Sequence, residues 1–110
     1  MKRIGLMGCG MVAQYGHIPA IQAAPGLTLH AVFDPNADNL RRTQEKFGIP
    51  HGFTDEEAFF NCGLDGVSIT SPAPCHHANV LRAAAHRLPV LCEKPLATNR
   101  AEAEQMIAAM

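Results

Sequence analysis

The residues with the types and spacing for chemistry begin with Gly8-Cys9-Gly10-Met11-Val12-Ala13, which follow an apolar strand-like run and open a helical pattern. A G-x-G-x-x-G/A turn in that context brings unpaired N–H groups at a helix start to an anion. Gly8 permits the tight turn, Gly10 removes the Cβ that would block a pyrophosphate, and Ala13 lets helix and strand pack closely. Cys9, Met11 and Val12 contribute backbone to the same loop. Asp34 closes the second strand-like run, 24 residues after Gly10, near the roughly 20 expected of an acid that accepts hydrogen bonds from an adenosine ribose. The acid points to NAD. A 2′-phosphate about 4 Å from that carboxylate would meet a repulsion of up to roughly 4 kcal/mol at an effective dielectric near 20. A third of that is about a tenfold bias. NADP stays open through Arg41 and Arg42 on the next helix, although Pro35 follows the acid where an NADP-type loop would offer a polar or basic side chain.

The elements that must position these residues alternate along the chain. Strand-like runs at Arg3–Met7 and Leu27–Phe33 are followed by helical patterns from Met11 and over Ala37–Phe47, the βαβ rhythm of a parallel sheet. A short segment at Ile49–Phe53 precedes a helix opened by Thr54 with Glu57 as its capping box. The run Val67–Thr70, a helix from about His76 to Arg87, and Val90–Cys92 continue the pattern. A last helix, capped by Asn99 and Glu102, should place Ala103, Met106, Ile107 and Met110 on one sheet-covering face. Right-handed crossovers make this a Rossmann-like, doubly wound parallel sheet of order 3-2-1-4-5, lacking the sixth strand of the full dinucleotide fold.

Ligands in such a sheet bind beyond the carboxyl ends of the strands, at the point where strand order reverses. Two segments fall there. One is Ser71-Pro72-Ala73-Pro74-Cys75-His76-His77, the other Glu93-Lys94-Pro95-Leu96-Ala97. An ammonium at Lys94 would sit where a nicotinamide carbon and a substrate oxygen meet, and would stabilise charge developing on that oxygen during hydride transfer. Adjacent helical residues point about 100° apart, so Cys75, His76 and His77 do not converge on one metal, and no metal site is expected. His17 lies two residues before Pro19, either facing the cofactor cleft or packing there.

Composition narrows the classes. The chain is 47% hydrophobic with a net charge of -1, which provides no field for nucleic acid or anionic lipid, and its basic residues are scattered. No apolar run approaches the roughly 18 residues of a membrane span. A cytoplasmic location is expected. Cys9, Cys62, Cys75 and Cys92 are far apart with no C-x-x-C pair, so they are read as reduced, mostly buried residues.

The matching segments, taken in order, are IGLMGCGMVA, His17 and Pro19, AVFDPN, FGIP, FTDEEAFF, SPAPCHHANVLRAAA and VLCEKPLATN. This set resembles the N-terminal domain of the glucose-fructose oxidoreductase/inositol dehydrogenase (Gfo/Idh/MocA) family nearly end to end. The resemblance implies NAD or NADP chemistry on a sugar, inositol or related polyol. It places Lys94 of Glu93-Lys94-Pro95 near nicotinamide and substrate, with Ser71, Pro72, His76 and Glu93 at the cofactor. One departure is His86-Arg87-Leu88-Pro89, where the family usually has a glycine before the strand. Members continue into a second α/β domain that carries most of the substrate pocket. Residues 1–110 are therefore expected to be an incomplete dinucleotide-binding domain, marginally stable and inactive alone, with any homo-oligomer formed through the other domain. A glycosidase using bound NAD for transient oxidation, and a non-catalytic dinucleotide-binding fragment, are the alternatives.

Overall fold

The computed structural model describes all 110 residues. Five strands, β1 (Lys2–Met7), β2 (Leu27–Phe33), β3 (His51–Phe53), β4 (Gly66–Ile69) and β5 (Val90–Cys92), form one sheet in the order β3-β2-β1-β4-β5. Every neighbouring pair is parallel. The connections carry α1 (Ile18–Ala23), α2 (Ala37–Phe47), α3 (Glu56–Phe60) and α4 (Ala73–Ala85), and α5 (Arg100–Ala109) comes after β5. This is the Rossmann-like, doubly wound sheet expected from the sequence, with the reversal of strand order between β1 and β4.

Two cores form because successive strand residues face opposite sides. Leu6, Leu29 and Val32 pack with Ala13, Ile18 and Leu40 under the first two helices. Met7, Ala31 and Phe33 pack with Phe59, Val80 and Met106 under the other three. Leu6 and Met7 are adjacent, and both are fully buried. Such a strand needs helices on both faces, which is why its apolar run is continuous rather than alternating. Gly5 belongs to this arrangement, since a Cβ there would lie 2.6 Å from the Leu64 side chain and 2.7 Å from that of Phe59.

The helices depart from expectation in four places. The helical stretch from Met11 contains a π-helical segment, Ala13–His17, in which the Ile18 N–H donates to Ala13 O. Pro19 has no N–H for the carbonyl four residues back, so the regular ladder cannot run through this turn. The third helix is capped by Asp55, whose carboxylate accepts from Ala58 N–H at 3.3 Å, and not by Thr54. α4 begins at Ala73, three residues before His76, because Pro74 is tolerated in a first turn whose N–H groups are unpaired anyway. In α5 the Asn99 cap on Glu102 N–H is as expected. Its apolar face is narrower: Met106 is buried, but Ile107 is 69% and Met110 60% exposed.

Candidate functional site

Residues from the carboxyl ends of β1, β2, β4 and β5 meet in a cleft of about 400 Å³ at the strand-order reversal. The first loop is shaped by its glycines. Gly8 has φ +98° and donates its N–H to Phe33 O at 2.8 Å. A Cβ on Gly8 would stand 2.6 Å from the Ser71 backbone, so only glycine lets the loops after β1 and β4 touch. Thr70 locks that contact, its hydroxyl donating to Gly8 O at 2.7 Å. Gly10 differs, because a Cβ there would meet nothing within 4 Å. It faces the open cleft, and the N–H groups of Gly10, Met11 and Val12 have no acceptor within the chain. A loop with a bare glycine and unpaired donors fits a pyrophosphate.

Asp34 lies across the cleft, 8% exposed. One carboxylate oxygen accepts from Cys9 N–H at 2.9 Å and the other from Asn36 N–H at 2.8 Å. Two such oxygens offer about four acceptor positions, so roughly half remain for ribose hydroxyls. The acid thus fastens the first loop as well as facing the cleft. Arg41 pairs with Asp38, and Arg42 donates to Asn39 Oδ1 at 2.8 Å. Asn39 itself lines the cleft beside Asp34. Burial pushes the Cys9 thiol up to about 11, with the Asp34 charge adding to the effect.

The far end of the cleft holds Ser71, Pro72, His76, Glu93 and Lys94. His76 is 2% exposed, with Nδ1 at 2.7 Å from Pro95 O and Nε2 at 2.8 Å from Ser71 O. A neutral ring carries one N–H and donates to one of these two carbonyls, and its burial between them sets it where the loops after β4 and β5 meet. Ser71 Oγ donates to Asn79 Oδ1 at 2.5 Å on α4. Glu93 Oε1 accepts from the Lys94 N–H at 3.1 Å, and Glu93 Oε2 lies 2.7 Å from His17 Nε2. That hydrogen bond from His17 holds the Glu93 carboxyl below its usual range, helped by the Lys94 N–H. Lys94 is the one lysine or arginine in the wall.

Of the residues singled out in the sequence, the cleft gathers Gly8, Cys9, Gly10, Val12, Asp34, Ser71, Pro72, His76, Glu93 and Lys94. Met11 is outside, its side chain 74% exposed. Ala73 and Pro95, from the two segments singled out in the sequence, also line it, as do Asn39 and Thr70, which carried no signal of their own. Thr70 could have been found as the polar last residue of a strand beside the phosphate loop. A larger groove, about 710 Å³, lies on the open sheet face by α1. Its wall includes Lys2, Ile4, Val67 and Leu91, and it lacks the phosphate-loop donors and the carboxyl-end loops that the smaller cleft gathers.

Fold and cleft together define a dinucleotide-binding domain of the oxidoreductase type. The chain belongs to the Gfo/Idh/MocA oxidoreductase family, whose model, described as an NAD-binding Rossmann fold, matches residues 2–110. It is 33% identical over 103 residues to a D-apiose dehydrogenase from Rhizobium rhizogenes, covering 93% of this chain and 30% of the relative. An oxidoreductase from Agrobacterium radiobacter, solved with NAD+, L-tartaric acid and magnesium, superposes with a TM-score of 0.92 at 30% identity, over 98% of this chain and 32% of that one. A 3-ketoreductase from Actinomadura kijaniata, solved with NADP and TDP-benzene, gives 0.89 at 31% identity, over 98% and 33%. The chain thus spans about a third of the length of the proteins it matches.

Proposed function

We propose that this chain is the cofactor-binding part of an NAD-dependent oxidoreductase that acts on a secondary alcohol or ketone of a sugar, inositol or related polyol. One observation carries the reading: a single cleft brings together the Gly8–Val12 loop, the Asp34 carboxylate and the Lys94 cation. The free N–H groups of Gly10, Met11 and Val12 would hold the pyrophosphate, Gly8 and Cys9 would shape the loop beside it, and Asp34 would hold the adenosine ribose. Ser71, Pro72, His76 and Glu93 would form the nicotinamide end, with His76 fixing the loops rather than offering a ring nitrogen. The bound cofactor supplies the hydride acceptor or donor. Lys94 would donate a hydrogen bond to the substrate oxygen and stabilise the charge that builds there as the carbon loses or gains hydride. The polyol class is supported by the dehydrogenase and ketoreductase relatives. NAD is favoured over NADP by Asp34 and by the engagement of Arg41 and Arg42 with Asp38 and Asn39.

The test is titration of the full-length protein with NADH and NADPH, monitored by nicotinamide fluorescence. NADH should bind more tightly, and binding of neither would overturn the assignment. Lys94→Ala should lower turnover of a polyol substrate by at least about a hundredfold, within the range for one lost electrostatic donor, while NADH still binds. An unchanged rate would remove Lys94 from the chemistry.

A further inference from the structure

His17 and Ser68 lie outside the cleft, yet they join it to the opposite side of the sheet. Ser68 is on β4, 2% exposed, with Oγ at 2.6 Å from His17 Nδ1. His17 Nε2 lies 2.7 Å from Glu93 Oε2, and Glu93 Oε1 accepts from the Lys94 N–H at 3.1 Å. The contacts form one chain through residues 17, 68, 93 and 94, which three separate elements bring together. His17 and Ser68 line the apolar groove, while Glu93 and Lys94 line the cleft. The imidazole is the partition between the two cavities.

Chemistry sets the direction of each bond. An ionised carboxylate only accepts, so His17 Nε2 carries the hydrogen facing Glu93. In a neutral ring Nδ1 then accepts, and the Ser68 hydroxyl donates to it. The groups thereby fix one another: Glu93 sets the tautomer, Ser68 anchors the ring at Nδ1, His17 orients Glu93, and Glu93 holds the backbone of Lys94. The π-helical segment ends at His17, in keeping with the tendency of such segments to occur at functional sites.

We propose that His17 is a positioning residue for Lys94, acting through Glu93, with its ring anchored at Nδ1 by Ser68. The inference rests on the functional reading of Lys94 but is tested apart from it. Ring ¹⁵N resonances of His17 and the backbone amide resonance of Lys94 would be recorded in the full-length protein, wild type and the variants His17→Ala, His17→Gln, Ser68→Ala and Glu93→Gln. The wild type should show Nε2–H with Nδ1 unprotonated at neutral pH. Ser68→Ala should shift the Nδ1 resonance. His17→Ala and Glu93→Gln should each displace the Lys94 amide resonance, the double variant should add nothing further, and His17→Gln, which keeps an N–H donor, should restore part of the wild-type position. Additive shifts, or a Lys94 amide indifferent to His17→Ala, would overturn the proposal. If His17→Ala does not fold, Glu93→Gln decides, because an unchanged His17 Nε2 resonance and Lys94 amide in that variant would likewise refute it. NADH fluorescence on the same samples separates the two readings, since failure of wild type to bind NADH removes the functional assignment while the Lys94 amide still reports on positioning.

Discussion

Asp34 carries two duties in one carboxylate, and substituting it should expose both. Its oxygens hold the N–H groups of Cys9 and Asn36 while the group faces the cleft. Asp34→Ala should move the ratio of NADPH to NADH affinity toward NADPH by about tenfold, because roughly 1.4 kcal/mol of repulsion toward a 2′-phosphate is lost. Fluorescence titration with each cofactor measures it. Cys9 next door gives a pH-dependent prediction. Its thiol ionises near 11 in the folded chain against 9.0 ordinarily, so the folded state keeps the proton longer than the unfolded one. The stabilising contribution is complete below pH 9 and is lost as pH rises toward about 11. Iodoacetamide at about pH 8, with peptide mapping, should therefore label exposed Cys75 and leave buried Cys9 intact. Most of this cleft was legible in the sequence because glycine spacing and strand ends obey local rules. His17 bonding to Glu93 was not, since 76 residues separate them and only the completed sheet brings them together.

At the level of elements, most strands were legible as largely apolar runs bounded by turn residues, whereas β3, His51–Phe53, is no such run and followed only from the alternation of elements. Helix starts were less so. Thr54 and Asp55 are both good caps, and nothing local chooses between neighbours that can each accept a backbone hydrogen bond. Pro72 and Pro74 have the composition of a loop, yet the missing N–H of a proline costs nothing in a first helical turn. The segment His86-Arg87-Leu88-Pro89 has a physical outcome: Arg87 adopts φ +58°, in the left-handed region that favours glycine. A left-handed residue with a Cβ carries a penalty of about 1–2 kcal/mol, partly offset by the greater unfolded-state freedom of glycine. Arg87→Gly should stabilise the domain by about 0.5–1 kcal/mol, the difference of those two effects, read as a raised denaturant midpoint. Arg87 takes part in no side-chain hydrogen bond or ion pair that the change would remove.

For the molecule as a whole, the sheet is covered unevenly. The α3–α5 face holds the larger buried cluster, while the other face is open beside β4 and β5, where Leu91 is 65% exposed. No helix is long and apolar enough to cross a membrane. β5 is an edge strand, and an apolar edge invites pairing between copies. Leu91→Lys in the 110-residue chain should reduce self-association in light scattering while changing stability by no more than about 0.5 kcal/mol, as expected of an exposed site. The expectation that an isolated domain of this kind is marginal rests on the same open face, and cooperative, monodisperse unfolding would contradict it.

The π-helical turn at Ala13–His17 has one more consequence. Such a turn accommodates one residue more than the regular turn it replaces. An in-frame loss of a single codon within it would remove that extra residue and change the turn that carries His17, while Pro19 would still interrupt the ladder. His17 would then lose the position from which it reaches Ser68 and Glu93, although all three of those side chains are still present. At this turn the count of residues, as much as their chemistry, decides whether the imidazole reaches its partners.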